Sequence, residues 1–167
     1  PPHASSSAAS DVYKRQRAAC VRHGINGLVV DPYNEIDATR GQNKREDEHI
    51  RDLISKCKQF CRSHNVTMWL VAHPAKMQRG SDGSYPPPSL YDVSGSAHWN
   101  NMADVGMVVH RDFEADQTRV IIRKIREQGL YGSIGEAFFQ YNLARHIYEP
   151  DTSTKQTFSS YEEKADF

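Results

Sequence analysis

The sequence predicts an α/β fold: a mostly parallel sheet flanked by helices, with an antiparallel hairpin at its C-terminal end. Three observations predict it. Two short apolar runs, Gly27-Leu28-Val29-Val30-Asp31-Pro32 and Val66 to Ala72, each stop abruptly at a polar or Pro-containing segment, as strands buried on both faces do. Between them, from about Lys44 to His64, apolar Ile50, Leu53, Ile54, Cys57, Phe60 and Cys61 recur at helical spacing. Strand, helix and strand then read as one right-handed βαβ unit. Nearer the end, Ile134 to Tyr141 and His146 to Glu149 alternate as the two arms of a hairpin do.

The chain has 167 residues, enough for one domain with a core. Its 21 Lys and Arg balance 21 Asp and Glu, so no global basic field announces nucleic acid and any such site must be local. Three cysteines without framework spacing fit a reducing compartment. No apolar run is long enough to span a membrane and no signal-peptide pattern occurs, so a cytoplasmic protein with no membrane partner is expected. Pro1 to Ser10 is low-complexity Ser/Ala, and Asp11-Val12-Tyr13-Lys14-Arg15-Gln16 looks like a translated sequencing adapter derived from a transposase end. Residues 1–16 are therefore expected to be a non-native or disordered leader, 17–150 the domain, and 151–167 a disordered polar tail.

Arg17 to Gly24 reads as the end of a helix stopped by Gly24. Ile25 to Asp31 is the first strand. Asp31 falls at its C-terminal end, where open α/β sheets place ligands and where an acid either holds Mg²⁺ or simply starts a turn before Pro32. In the following helix Cys57, Cys61 and His64 lack a second ligand pair at zinc-finger spacing, so the two cysteines read as core thiols on the buried stripe rather than as zinc ligands. The second strand ends at His73-Pro74, which brings His73 to the same sheet edge as Asp31. There the imidazole either feels a terminal phosphate or is a structural cap.

Ala75 to Asp92 is irregular and too long for a plain connection. It carries Lys76 and Arg79 for phosphates, and Gly80 and Gly83, where backbone N–H groups can approach a strand, a pattern suited to single-stranded nucleic acid or to a solvated loop. Small residues from Gly95 open a helix that reaches about Asp104. Val105 to His110 and Thr118 to Arg126 are the third and fourth strands, joined by a turn over Glu114 to Gln117. Lys124 and Arg126 are two apart and share a strand face. Two such cations need an anion opposite, such as a second subunit's bound triphosphate, or else form a solvated edge.

Taken in order, Gly27 to Asp31, Leu70-Val71-Ala72-His73-Pro74, Ser94-Gly95-Ser96-Ala97-His98-Trp99 with Ala103-Asp104, and Lys124-Ile125-Arg126 with Gly132 and Gly135 resemble the ATPase domain of hexameric replicative helicases of the DnaB and Twinkle type. The resemblance covers about Arg17 to Pro150. The His-Pro after the second strand is most similar to the Twinkle-like bacterial and phage members. It implies the C-terminal half of a RecA-like core, with ATP and Mg²⁺ as cofactors and a ring, most simply hexameric, around single-stranded DNA. It also implies site roles: Asp31 as the Walker B acid on the metal, His73 as phosphate sensor, Lys124 and Arg126 on the adjacent subunit's nucleotide, and Lys76, Arg79, Gly95, Ser96, His98 and Asn101 on DNA. The sequence departs from the family in one large respect. It contains no G-x-x-x-x-G-K-[ST] loop, so the resemblance implies a truncated site that is inactive alone. Two rival functions share these residues: a recombination-type RecA ATPase, and a non-catalytic module that grips single strands. A plain α/β domain with structural polar strand ends is the third alternative.

Overall fold

The computed structural model describes residues 7–33, 45–81, 83–93, 97–154 and 157–158. It divides into two compact units, Pro1–His73 and Pro74–Phe167.

In the first unit, α1 (Ser7–His23) ends where Gly24 adopts φ +60° and donates its N–H to the Cys20 carbonyl at 3.1 Å. The stop at Gly24 is the one expected. The helix starts upstream of Arg17, so no break marks the expected boundary between leader and domain. Strand β1 (Gly27–Val30), helix α2 (Glu46–His64) and strand β2 (Thr67–Leu70) follow. The strands pair in parallel from Gly27↔Thr67 to Val30↔Leu70, as a βαβ unit requires. Acidic Glu46, Asp47 and Glu48 fill the first turn of α2, favourable against its dipole, and Ile50, Leu53, Ile54 and Phe60 form its buried stripe. At its end Asn65 turns left-handed (φ 52°) and the Val66 N–H closes back on Cys61 at 3.1 Å. Burial and the neighbouring Cys61 push the Cys57 thiol up to about 11, which suits a packed thiol rather than a reactive one.

The expectation of strands buried on both faces does not hold. Val30 is buried, but Val29 is 63% and Trp69 48% exposed, because within its own unit the parallel pair is packed on one side only. Both strands are also shorter than the apolar runs that predicted them.

The second unit begins with a loop whose ends are tied by the bridge Pro74↔Val93 and by the Ala75 N–H on the Asp92 carbonyl at 2.6 Å. Then come α3 (Ala97–Met102), β3 (Val105–Asp112), β4 (Gln117–Ile125), α4 (Gln128–Tyr131), β5 (Gly135–Asn142), β6 (Ile147–Pro150) and β7 (Thr157–Phe158). The sheet runs β3-β4-β5-β6, with β7 also on β5, and every pair is antiparallel. Buried Val108, Ile121 and Phe138 centre its core, and Leu90 fills the space above Gly106 where a Cβ would stand.

This corrects the expected mostly parallel sheet: among the described residues only β1 and β2 pair in parallel. The connections decide it. The turns 113–116 and 143–146 are far too short for a crossover and force antiparallel neighbours. Each turn follows an Asx residue that accepts backbone N–H groups. Asp112 takes Glu114 and Ala115 at 3.0 Å each, and Asn142 takes Arg145 at 3.1 Å. Each ends on a left-handed residue, Asp116 (φ 49°) or His146 (φ 54°). The C-terminal hairpin forms as expected, as β5 and β6.

The start of the stretch read as a disordered tail is tied to the sheet. Asp151 is only 6% exposed, and its N–H bonds the Phe138 carbonyl at 2.8 Å. Its carboxylate accepts Gln117 Nε2 at 2.6 Å, Ser153 N at 2.9 Å and Thr154 Oγ1 at 3.2 Å. Pairing of β7 with β5 carries the chain on to Phe158.

Candidate functional site

The residues singled out from sequence fall into two groups, one in each unit. In the first unit the parallel register places Asp31 just beyond Val30 and His73 just beyond Leu70, so both lie past the C-terminal ends of neighbouring strands. Backbone bonds extend the pairing into this edge: Val71 N–H to the Val30 carbonyl at 2.9 Å, and Tyr33 N–H to the Val71 carbonyl at 3.0 Å. Asp31 and His73 are both exposed. Burial, and then the charge of Glu46 at the start of α2, raises the Tyr33 phenol above its ordinary value, so the helix N-terminus borders the same edge. An exposed carboxylate past one strand end can hold a hydrated divalent cation, and an exposed imidazole past the end of the paired strand can answer a phosphate near it.

In the second unit the loop from Pro74 to Val93 folds on itself. Gly80 donates to the Ser84 carbonyl at 2.8 Å and Gly83 to the Gly80 carbonyl at 3.0 Å. Ser89 donates its N–H and its hydroxyl to Asp92, which holds that carboxyl below its ordinary value. A groove of about 600 Å³ is lined by Lys76, Met77, Pro86, Pro87 and Tyr91, among others. Lys76 is exposed, and the Arg79 guanidinium lies 5.1 Å from the centre of the Tyr85 ring. Tyr85 and Tyr91 are 50% and 58% exposed, so the loop offers two cations and two aromatic faces. Gly95 and Ser96 lie outside the described residues. His98 is half-buried and Asn101 exposed on α3, while Trp99 anchors that helix in the core.

Lys124 and Arg126 do point the same way, and what faces them is their own chain. Lys124 Nζ donates to the Asn100 carbonyl. Arg126 donates to the Asn101 carbonyl at 2.9 Å and the Ala103 carbonyl at 3.4 Å, and pairs with Asp104 at 3.0 Å. The last carbonyls of a helix carry partial negative charge and lack intrahelical donors, so the two cations cap α3. The argument that such a pair requires an external anion or a solvated edge is thereby corrected: an internal partner exists. Arg126 nevertheless stays 44% exposed.

Sequence reasoning missed Asn100 and Asp104 as the partners of this pair and Tyr91 as the loop residue bonded to Asn100 at 2.6 Å. The signal available was the polar run Asn100-Asn101 closing a short helix just before a strand. Among the described residues, no helix is long and apolar enough to cross a membrane.

No protein-family model matches the chain. Over 148 residues, 86% of the chain, it is 38% identical to the Twinkle homolog protein, chloroplastic/mitochondrial, of Arabidopsis thaliana, and spans 20% of that protein's length. That relative is an organellar plant protein, so it lends no support to the expected bacterial or phage origin and cytoplasmic location. Through most of its length the chain is thus similar to about one fifth of a Twinkle homologue.

Proposed function

We propose that the chain is the C-terminal portion of a RecA-like ATPase domain from a Twinkle-type replicative DNA helicase, which couples ATP hydrolysis at subunit interfaces to movement along single-stranded DNA. The observation that carries this reading is the match to the Twinkle homologue, long enough to include both strand ends with Asp31 and His73 and the segment with Lys124 and Arg126. In this reading Asp31 holds Mg²⁺, His73 senses the terminal phosphate, and Lys124 and Arg126 reach the nucleotide of the next subunit in a ring, most simply a hexamer. Lys76, Arg79, Gly95, Ser96, His98 and Asn101 face the DNA strand.

The residues present fit part of such a site. One exposed carboxylate, completed by phosphate oxygens and water, is a common way to hold Mg²⁺. Lys124 and Arg126 are two donors on one face, matched to a polyanion, and they would exchange their α3 carbonyls for it. Bound Mg–ATP supplies the phosphoanhydride that is cleaved. The phosphate-cradling G-x-x-x-x-G-K-[ST] loop is not in this sequence, so the isolated chain is expected to show no magnesium-dependent ATP turnover. Turnover from it would contradict the reading.

Unwinding of a forked duplex, assayed in a protein that joins this segment to a phosphate-binding loop, tests the function. The intact protein unwinds the fork with ATP, and Asp31→Asn keeps single-strand binding while losing unwinding. Unwinding that survives Asp31→Asn removes Asp31 from the metal, and absence of unwinding in the unsubstituted protein removes the helicase reading.

A further inference from the structure

We infer that Asn100 is a joint between the cation pair at the end of β4 and the loop from Pro74 to Val93, and that a polyanion drawn to the pair loosens that loop. The inference rests on the reading above only for the identity of the polyanion, a neighbouring subunit's nucleotide.

The argument begins with the length of α3. Six residues are too few for a helix to persist on its own intrahelical bonds. Contacts from outside the helix hold it. Buried Trp99 fixes it in the core, and Lys124 and Arg126 satisfy the carbonyls of Asn100, Asn101 and Ala103. Those three acceptors are neutral, and the charged partner of Arg126, Asp104, is itself 58% exposed and so weakened by solvent. A triphosphate oxygen accepts a shorter and stronger bond from an ammonium or guanidinium than a carbonyl does. Arg126 is half-exposed, so a polyanion can compete for it from solvent. When it does, the last turn of α3 loses its cap while Trp99 still holds the first.

Asn100 sits in that last turn and faces two ways. Its carbonyl accepts from Lys124, and its side-chain Nδ2 donates to the Tyr91 hydroxyl at 2.6 Å. Tyr91 lines the groove with Lys76 and lies next to Asp92, whose carbonyl takes the Ala75 N–H and closes the loop. Movement of Asn100 therefore pulls on the residue adjoining the loop's closing bond. This gives Asn100 a positioning role: it touches neither anion nor nucleic acid, and transmits the state of the cation pair through one side-chain bond.

Amide hydrogen exchange on the 167-residue chain, with and without inorganic tripolyphosphate, tests the inference. Tripolyphosphate is expected to speed exchange at Ala103, whose N–H bonds the Trp99 carbonyl, and at Ala75, each by about fivefold, the worth of one hydrogen bond. In Tyr91→Phe, which keeps the ring and removes the hydroxyl, Ala103 still responds and Ala75 does not. Unchanged exchange at buried Ile121 confirms that this variant is folded. The inference is overturned if Ala103 ignores tripolyphosphate in the unsubstituted chain, or if Ala75 responds equally in Tyr91→Phe. Failure of unwinding, by contrast, removes the motor reading and leaves these exchange results standing.

Discussion

Gly27 carries no side chain because the Trp69 ring occupies the space where one would stand. A Cβ there would lie 2.9 Å from the ring's Cζ3 atom, inside contact distance, and the ring belongs to the paired strand. Gly27→Ala must therefore shift Trp69 or part the strands, and we expect a loss of about 1–3 kcal/mol. A fall in the urea midpoint with an unchanged slope measures it. Asp151 makes a second residue-scale prediction. Bonds from Ser153, Gln117 and Thr154 hold its carboxyl at about 2 against an ordinary 3.8. The folded value lies below the unfolded one, so this contribution to stability is present above about 4 and lost as pH falls toward about 2. Asp151→Asn should flatten that part of the pH dependence of the unfolding midpoint. An unchanged pH profile would show that the carboxylate does not hold the start of the tail to the sheet. The sequence hinted at this residue only weakly: Asp151-Thr152-Ser153-Thr154 is an Asx-turn pattern as well as a polar tail.

At the scale of the element, α2 was the most legible part of the chain. Its apolar spacing and its end at His64 both agree with Glu46–His64. Ile50 is 1% exposed on its buried stripe, so Ile50→Ala should cost about 2–5 kcal/mol in chemical denaturation. A cost near zero would mean that the helix does not pack as described. The hairpin of β5 and β6 was equally readable, since period-two alternation is a local signal. Pairing direction in the rest of the sheet was not read, although its cause is local too. Asp112-Phe113-Glu114-Ala115-Asp116 and Asn142-Leu143-Ala144-Arg145-His146 are matching Asx-led turns, and turns of that length leave no room for parallel strands. The cap on α3 was hinted at only by the polar run Asn100-Asn101, because Lys124 and Arg126 meet those carbonyls only once β4 has folded beside the helix.

At the scale of the molecule, the strand-end position of Asp31 and His73 followed from the two apolar runs, and the parallel register agrees with it. Their roles on a metal and a phosphate, and the trans role of Lys124 and Arg126, belong to the proposed assembly. An arginine that reaches a neighbouring subunit's triphosphate can supply several powers of ten in turnover by neutralising charge in the transition state. Arg126→Ala in the complete assembly should keep ATP binding while turnover falls by at least about a thousandfold. Near-normal turnover would leave Arg126 with its capping role alone.

Mixed rings give the most direct measurement of the central claim, that Asp31 of one subunit and Arg126 of the next complete a single site. Asp31→Asn and Arg126→Ala subunits, each expected to be inactive alone, are co-assembled and ATP turnover is measured. The account predicts restored turnover, because an Arg126→Ala subunit keeps Asp31 and a neighbouring Asp31→Asn subunit supplies its Arg126. Mixed rings that form and remain as inactive as the two parents would contradict it.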